Sequence, residues 1–215
     1  MNDYSDLNGI YYRVFIDWWQ KAIQPFTGSK VMLRNLAVGG TSSNFYSYCY
    51  KTLLKPQDSM DIVFLEFSVN DMAFRDSSLP MALSLEQLAR SVLSESNSPA
   101  VIFVNFIRGE LGVAQCDNLE NHGQTMLAWH YGITSVGLRS SLCPNPGNIK
   151  TPAMFSSDGY HASIIGHAQI ALMIIDSARN ALLGAIDNAQ LGLLREPSRQ
   201  LPRHVFYSID RKSVV

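Results

Sequence analysis

Between Ser156 and His167 the chain reads SSDGYHASIIGH, which sets Asp158 three residues ahead of His161. A carboxylate beside an imidazole can fix the ring tautomer and stabilise the imidazolium that forms when the ring takes a proton, which is what a general base serving a serine requires. The competing reading of His161 is a solvent-facing loop histidine, the usual case for a lone His. His167 reads as a residue on a helix face rather than as a second base. Two other places carry groups suited to a developing negative charge. In RNLAVGGTSS, Gly39 and Gly40 form a turn ahead of a helix start at Thr41 to Ser43. Such a turn lets backbone N–H groups approach a ligand, and a helix N-terminus favours negative charge, although the same pattern also serves as a plain tight turn. In EFSVNDMAF, Asn70 and Asp71 follow an apolar run. The Asn70 amide can donate to an oxyanion, while either residue can equally cap the next turn.

The elements that must position these residues alternate along the chain. GIYYRVFIDWWQKAI has helical apolar spacing, VMLRNLAV (31–38) reads as a strand, and TSSNFYSYCYKTLLK reads as a helix ending before Pro56. DIVFLEFSV (61–69) reads as a buried strand and LSLEQLARSVLSES as a helix with Leu85, Leu88, Ala89 and Val92 on one face. AVIFVNFI (100–107) is a second buried strand, NLENHGQTMLAWHYG a helix, ITSVGL a short strand, and SIIGHAQIALMIIDSARNALLGAI a long last helix. Strands with unbroken apolar runs separated by helices predict a mainly parallel sheet covered on both faces, a three-layer α/β/α sandwich. Ligands of such sheets bind at the carboxyl ends of the strands, where Gly40, Asn70 and the Asp158–His161 loop fall.

Composition narrows the function classes. The chain has 215 residues, 47% hydrophobic and 16% charged, with a net charge of −1. That suits one α/β domain, residues 1–194, followed by an extension over residues 195–215 that carries prolines and arginines without a helical stripe. No basic stripe points to nucleic acid. Cys49, Cys116 and Cys143 are too few and too scattered for a disulfide framework or a zinc site, and Cys116 and Cys143 remain one possible pair. No uninterrupted apolar run reaches about 18 residues, so no transmembrane segment is expected. The opening MNDYSDLNG is polar and carries no targeting signal.

The order of the blocks RNLAVGG, SVND and DGYHASIIGHAQIA resembles the SGNH (GDSL-like) hydrolase family, over roughly Leu7 to Leu183. The resemblance implies a flavodoxin-like serine esterase fold without metal or organic cofactor. It implies that the Gly40 N–H and the Asn70 side chain are two oxyanion donors, and that Asp158 and His161 are the acid and base of a triad. Ser68 stands where the family often has glycine. The family's nucleophile lies at the end of a first strand, ahead of the first helix. Neither that strand nor a Gly-Asp-Ser block is read in this chain, and Ser5 in NDYSDL is the lone serine near the expected place. Ser5 also suits a helix cap.

Three readings follow. The first is an N-terminally incomplete ester hydrolase, inactive by the covalent route for want of its serine. The second is a catalytically dead binding module of the same fold. The third is an unrelated flavodoxin-like α/β binding protein, against which no Gly-rich loop with a Lys follows any strand. The polar stretches RGELGVAQCDN and RSSLCPNPGN point to a small acyl group on a polar or carbohydrate carrier.

Overall fold

The computed structural model describes residues 9–54, 59–73, 81–107, 124–138, 154–159, 161–193 and 201. In chain order the elements are α1 (Tyr11–Ala22), α2 (Gln24–Thr27), α3 (Ser43–Cys49), a 3-10 turn (Tyr50–Leu53), β1 (Ile62–Leu65), α4 (Ser68–Ala73), α5 (Met81–Leu93), β2 (Ala100–Asn105), α6 (Gln124–Tyr131), β3 (Thr134–Gly137) and α7 (Ile164–Gln190). The class is α/β, with a three-strand parallel sheet in the order β1-β2-β3. Ile62 lies opposite Ala100 and Leu65 opposite Phe103. Parallel neighbours need long crossovers, which α4 and α5 supply between β1 and β2, and α6 between β2 and β3.

The chain divides into two compact units. The first comprises Met1–Asn35, Phe106–Asp117 and Val136–Ser198, the second Leu36–Asn105, Asn118–Ser135 and Arg199–Val215.

The second unit is built on β2. Val101 and Phe103 enter a cluster with Tyr46, Tyr50, Leu65, Leu85, Leu88, Ala89, Val92, Leu127, Ala128 and Tyr131. The stripe on α5 therefore faces the core as its spacing requires. Ile102 and Val104 alternate with the first pair and are buried too, so β2 is covered on both faces, the signature of a strand inside an α/β sandwich. One carboxylate enters this core. Glu86 is buried and accepts the Tyr131 hydroxyl, which itself accepts Arg90 Nη1 at 3.0 Å. A buried polar group held this way keeps its hydrogen bond, without which burial would cost about 1–3 kcal/mol.

In the first unit α1 packs along α7, with Tyr11 and Phe15 from one and Ile170, Ala171 and Ile174 from the other all buried. Phe106, Ile107, Val136 and Leu138 are buried in the same unit. α7 has 27 residues and a stretch of mean hydropathy 1.2, long and apolar enough by those measures to cross a membrane. Polar residues such as His167, Gln169 and Asp176 break its apolar run, so no uninterrupted run of that length is read in the sequence.

Two expected strands are corrected. Residues 31–38 form no strand among the described residues, and Met32, Leu33 and Val38 are exposed. An apolar run makes a strand only where a ladder holds it. The strand read over 61–69 stops at Leu65, and α4 begins at Ser68, with the Asp71 N–H donating to the Phe67 carbonyl at 2.8 Å. Asn70 and Asp71 consequently stand on a helix rather than at a strand's end.

Candidate functional site

The first unit positions Asp158 and His161. Phe155 and Ala162 form an antiparallel bridge, the Ser156 N–H donates to the His161 carbonyl at 2.8 Å, and the Ser163 N–H donates to the Met154 carbonyl at 3.0 Å. Within this narrow loop the Gly159 N–H closes on the Ser156 carbonyl at 3.0 Å, with Gly159 at φ +69°, a conformation glycine adopts without strain. The Asp158 carboxylate is fixed on three sides. Its Oδ1 accepts the Ser156 hydroxyl at 2.5 Å and the His161 backbone N–H at 3.0 Å, and its Oδ2 lies 2.6 Å from His161 Nδ1. A carboxylate only accepts, so the neutral ring carries its proton on Nδ1 and its lone pair on Nε2. The pair stays open to solvent, His161 at 58% and Asp158 at 45% side-chain exposure.

α7 begins immediately after this loop. Ser163 caps it, its hydroxyl accepting the Ile165 and Gly166 N–H groups. A Cβ on Gly166 would lie 2.6 Å from the Met154 carbonyl oxygen, so only glycine lets the helix start this close to the loop. His167 follows one residue later, stacked on Tyr11 with centroids 6.0 Å apart and edge-on to Phe106 at 5.0 Å. Burial lowers its pKa, and the charge of His161 lowers it further. Its Nδ1 has no hydrogen-bond partner among the described residues. His167 is thus an aromatic packing residue at the root of the loop, as its helix position suggested.

The second unit positions Gly40 and Asn70. Gly40 is exposed, at φ +74°, with open space where a Cβ would stand. The turn is held from both ends. Upstream, the Tyr46 hydroxyl accepts the Val38 N–H at 2.9 Å and donates to the Leu36 carbonyl at 2.7 Å. Downstream, Asn70 Nδ2 donates to the Thr41 carbonyl at 2.7 Å, and Asp71 Oδ1 accepts the Ser43 N–H at 2.8 Å. Asn70 keeps a second N–H on the same nitrogen for another acceptor. The carboxylate of Asp71 is buried, and burial raises its pKa from the ordinary 3.8 to about 6 against the opposing pull of the Ser43 backbone and side chain. No cation pairs with Asp71 among the described residues.

The residues singled out by sequence thus fall into two groups, Gly40 with Asn70 in one unit and Asp158 with His161 in the other. Asp71 was missed. It caps α3 from 28 residues away, while Ser42, at the N-cap position, makes no side-chain cap bond. A buried carboxylate anchoring a distant turn leaves no local spacing signal. Ser5, Cys116 and Cys143 lie outside the described residues, and Cys49 has a free thiol that donates to the Phe45 carbonyl. Among the described residues no cluster of three His, Cys, Asp or Glu side chains is placed to hold a metal ion.

No protein-family model matches the chain, and no curated protein sequence does. Among solved structures the fold is similar to that of an esterase. A two-domain esterase (CEX) active on acetylated mannans, co-crystallized with mannopentaose, superposes with a TM-score of 0.65 at 24% identity, over 93% of this chain and 49% of that one. A second structure of the two-domain esterase gives a TM-score of 0.67 at 23% identity with the same coverage. This chain therefore spans about half the length of the esterase whose fold it shares.

Proposed function

We propose that this chain is an ester-hydrolysing unit of SGNH type that removes small acyl groups, acetyl first among them, from a carbohydrate. The observation that carries the reading is the 2.6 Å contact between Asp158 Oδ2 and His161 Nδ1 on a loop that fixes the carboxylate. Such a pair leaves Nε2 as the base that takes a hydroxyl proton, while Asp158 stabilises the imidazolium. The Gly40 N–H and the second N–H of Asn70 are the donors assigned to the oxyanion of the tetrahedral intermediate. Ser5 is the candidate nucleophile, a proposal that replaces the expectation of a chain inactive for want of its serine. Attack of its Oγ on the ester carbonyl would pass its proton to His161, which returns it to the departing sugar hydroxyl. Water activated by His161 would then release acetate and restore the serine. The carbohydrate comes from fold-level analogy with the acetylmannan esterase and from the polar stretches noted in the sequence.

The test is acetate release from acetylated mannan and from an aryl acetate. The wild-type chain is expected to release acetate from both, and His161→Ala to lose the activity by about 10³-fold or more. Binding of the mannan without acetate release would overturn hydrolysis in favour of an acyl-carbohydrate binding module of the same fold.

A further inference from the structure

Gly39 and Gly40 are adjacent residues without side chains, in a turn whose tip is exposed, and such a pair has more accessible conformations than any other dipeptide. A backbone donor is useful for catalysis only if it points one way before the charge develops, since preorganisation is what makes it stronger than water. Something must remove that freedom. Tyr46 ties the turn upstream, at Leu36 and Val38. Downstream, the neighbouring residues Asn70 and Asp71 take hold at the Thr41 carbonyl and the Ser43 N–H. Of the two, Asn70 has a role of its own in the proposed chemistry. Asp71 is buried, and among the described residues its side chain goes to Ser43 alone.

We infer that Asp71 is a positioning residue: by accepting the Ser43 N–H it locks the Gly39–Ser43 turn and so sets the direction of the Gly40 N–H. The inference rests on the oxyanion role proposed above for Gly40. A plain helix cap would explain the bond less well. The cap falls on Ser43, at the foot of the glycine turn, and α3 has only seven residues to stabilise. A buried carboxylate is a costly way to cap so short a helix. It is a good way to stiffen one, because a charge-assisted hydrogen bond is shorter and stronger than a hydroxyl cap.

The experiment compares Asp71→Ala and Asp71→Ser, which cannot reach Ser43, with Asp71→Asn, whose Oδ1 still accepts. Two readouts are taken: kcat and KM on an aryl acetate, and the amide NMR signals of Gly40 and Ser43. Both truncations should lower kcat about 10- to 100-fold with KM within about two-fold, because alignment in the transition state is lost and ground-state binding is not. Asp71→Asn should stay within about three-fold of wild type. In the truncated variants the Ser43 amide should lose its protection from exchange, and the Gly40 amide should shift with it. An unmoved Gly40 signal in both truncated variants would overturn the proposal, as would equal loss of kcat in Asp71→Asn and Asp71→Ala. A wild-type chain without esterase activity would instead strike the reading of the site, and the Gly40 signal would still report on Asp71. Asp71→Ser serves where Asp71→Ala does not fold.

Discussion

In the Asp158–His161 loop, the Ser156 hydroxyl, the His161 N–H and the His161 ring that hold the carboxylate all come from within three residues, and both side chains remain open to solvent. In the Gly39–Ser43 turn, the holding groups come from Tyr46 and from Asn70 and Asp71, up to 29 residues away, and the carboxylate among them is buried. Both regions present a group suited to acyl transfer. They differ in what the presentation costs. A local loop organises an acid–base pair with little burial, so its members can be altered without touching the core. A glycine turn has no side chains with which to hold itself, so its order must be imported from another element. The buried Asp71 carboxylate is the cost of that import. The comparison predicts that changes in the loop are felt in activity alone, and changes around the turn in activity and stability together.

The largest expected effect is at His161. His161→Ala should abolish most acetate release while the melting temperature stays put, since the ring is exposed; a fall of several degrees would show that the loop carries structural weight. Next is Asp158→Asn, expected to lower kcat by about 10²- to 10⁴-fold, because an amide can hold the ring without stabilising the imidazolium and can present the wrong tautomer. Its stability should differ from wild type by under about 1 kcal/mol in urea unfolding.

Asp71 gives the third prediction, with a definite sign. Its folded pKa of about 6 lies above the ordinary 3.8, so between those values the folded state binds the proton more tightly than the unfolded chain does. The favourable contribution is complete below pH 4 and is lost as pH rises through 6. Carrying the charge inside the fold then costs of order 2–3 kcal/mol. Asp71→Asn removes this dependence. Its stability relative to wild type should climb by that order between pH 4 and pH 7, measured by urea unfolding at each pH, and a flat difference would contradict a buried carboxylate. Smallest is Gly166→Ala. A methyl 2.6 Å from the Met154 carbonyl forces the start of α7 off the loop, with a loss of about 1–3 kcal/mol in thermal unfolding.

Much of this was legible in the sequence where the cause was local. The α5 stripe, the apolar run of β2 and the Asp-x-x-His spacing each act over a few residues, and the structure shows them close to where they were read. The Gly-His at the head of α7 was legible as a pattern, but its reason, the close pass of Gly166 over Met154, was not. Residues 31–38 and 66–69 were misread because strand formation depends on a neighbouring ladder that no single segment specifies. Asp71 was misread for the same reason, since its partner Ser43 belongs to an earlier element. Gly40 and Asn70 were each read from a place after an apolar run, and that the Asn70 side chain reaches the Thr41 carbonyl, beside Gly40, was not legible there.

The central claim is that His161, oriented by Asp158, acts as the base for a serine nucleophile. Fluorophosphonate labelling followed by peptide mass spectrometry tests it most directly, because the probe reacts only with an activated hydroxyl and the labelled peptide names it. The account predicts one labelled serine, with Ser5 the candidate, and loss of the label in both His161→Ala and the labelled serine's own Ala variant. Labelling that persists in His161→Ala, or a wild-type chain that takes no label while folded, would contradict it.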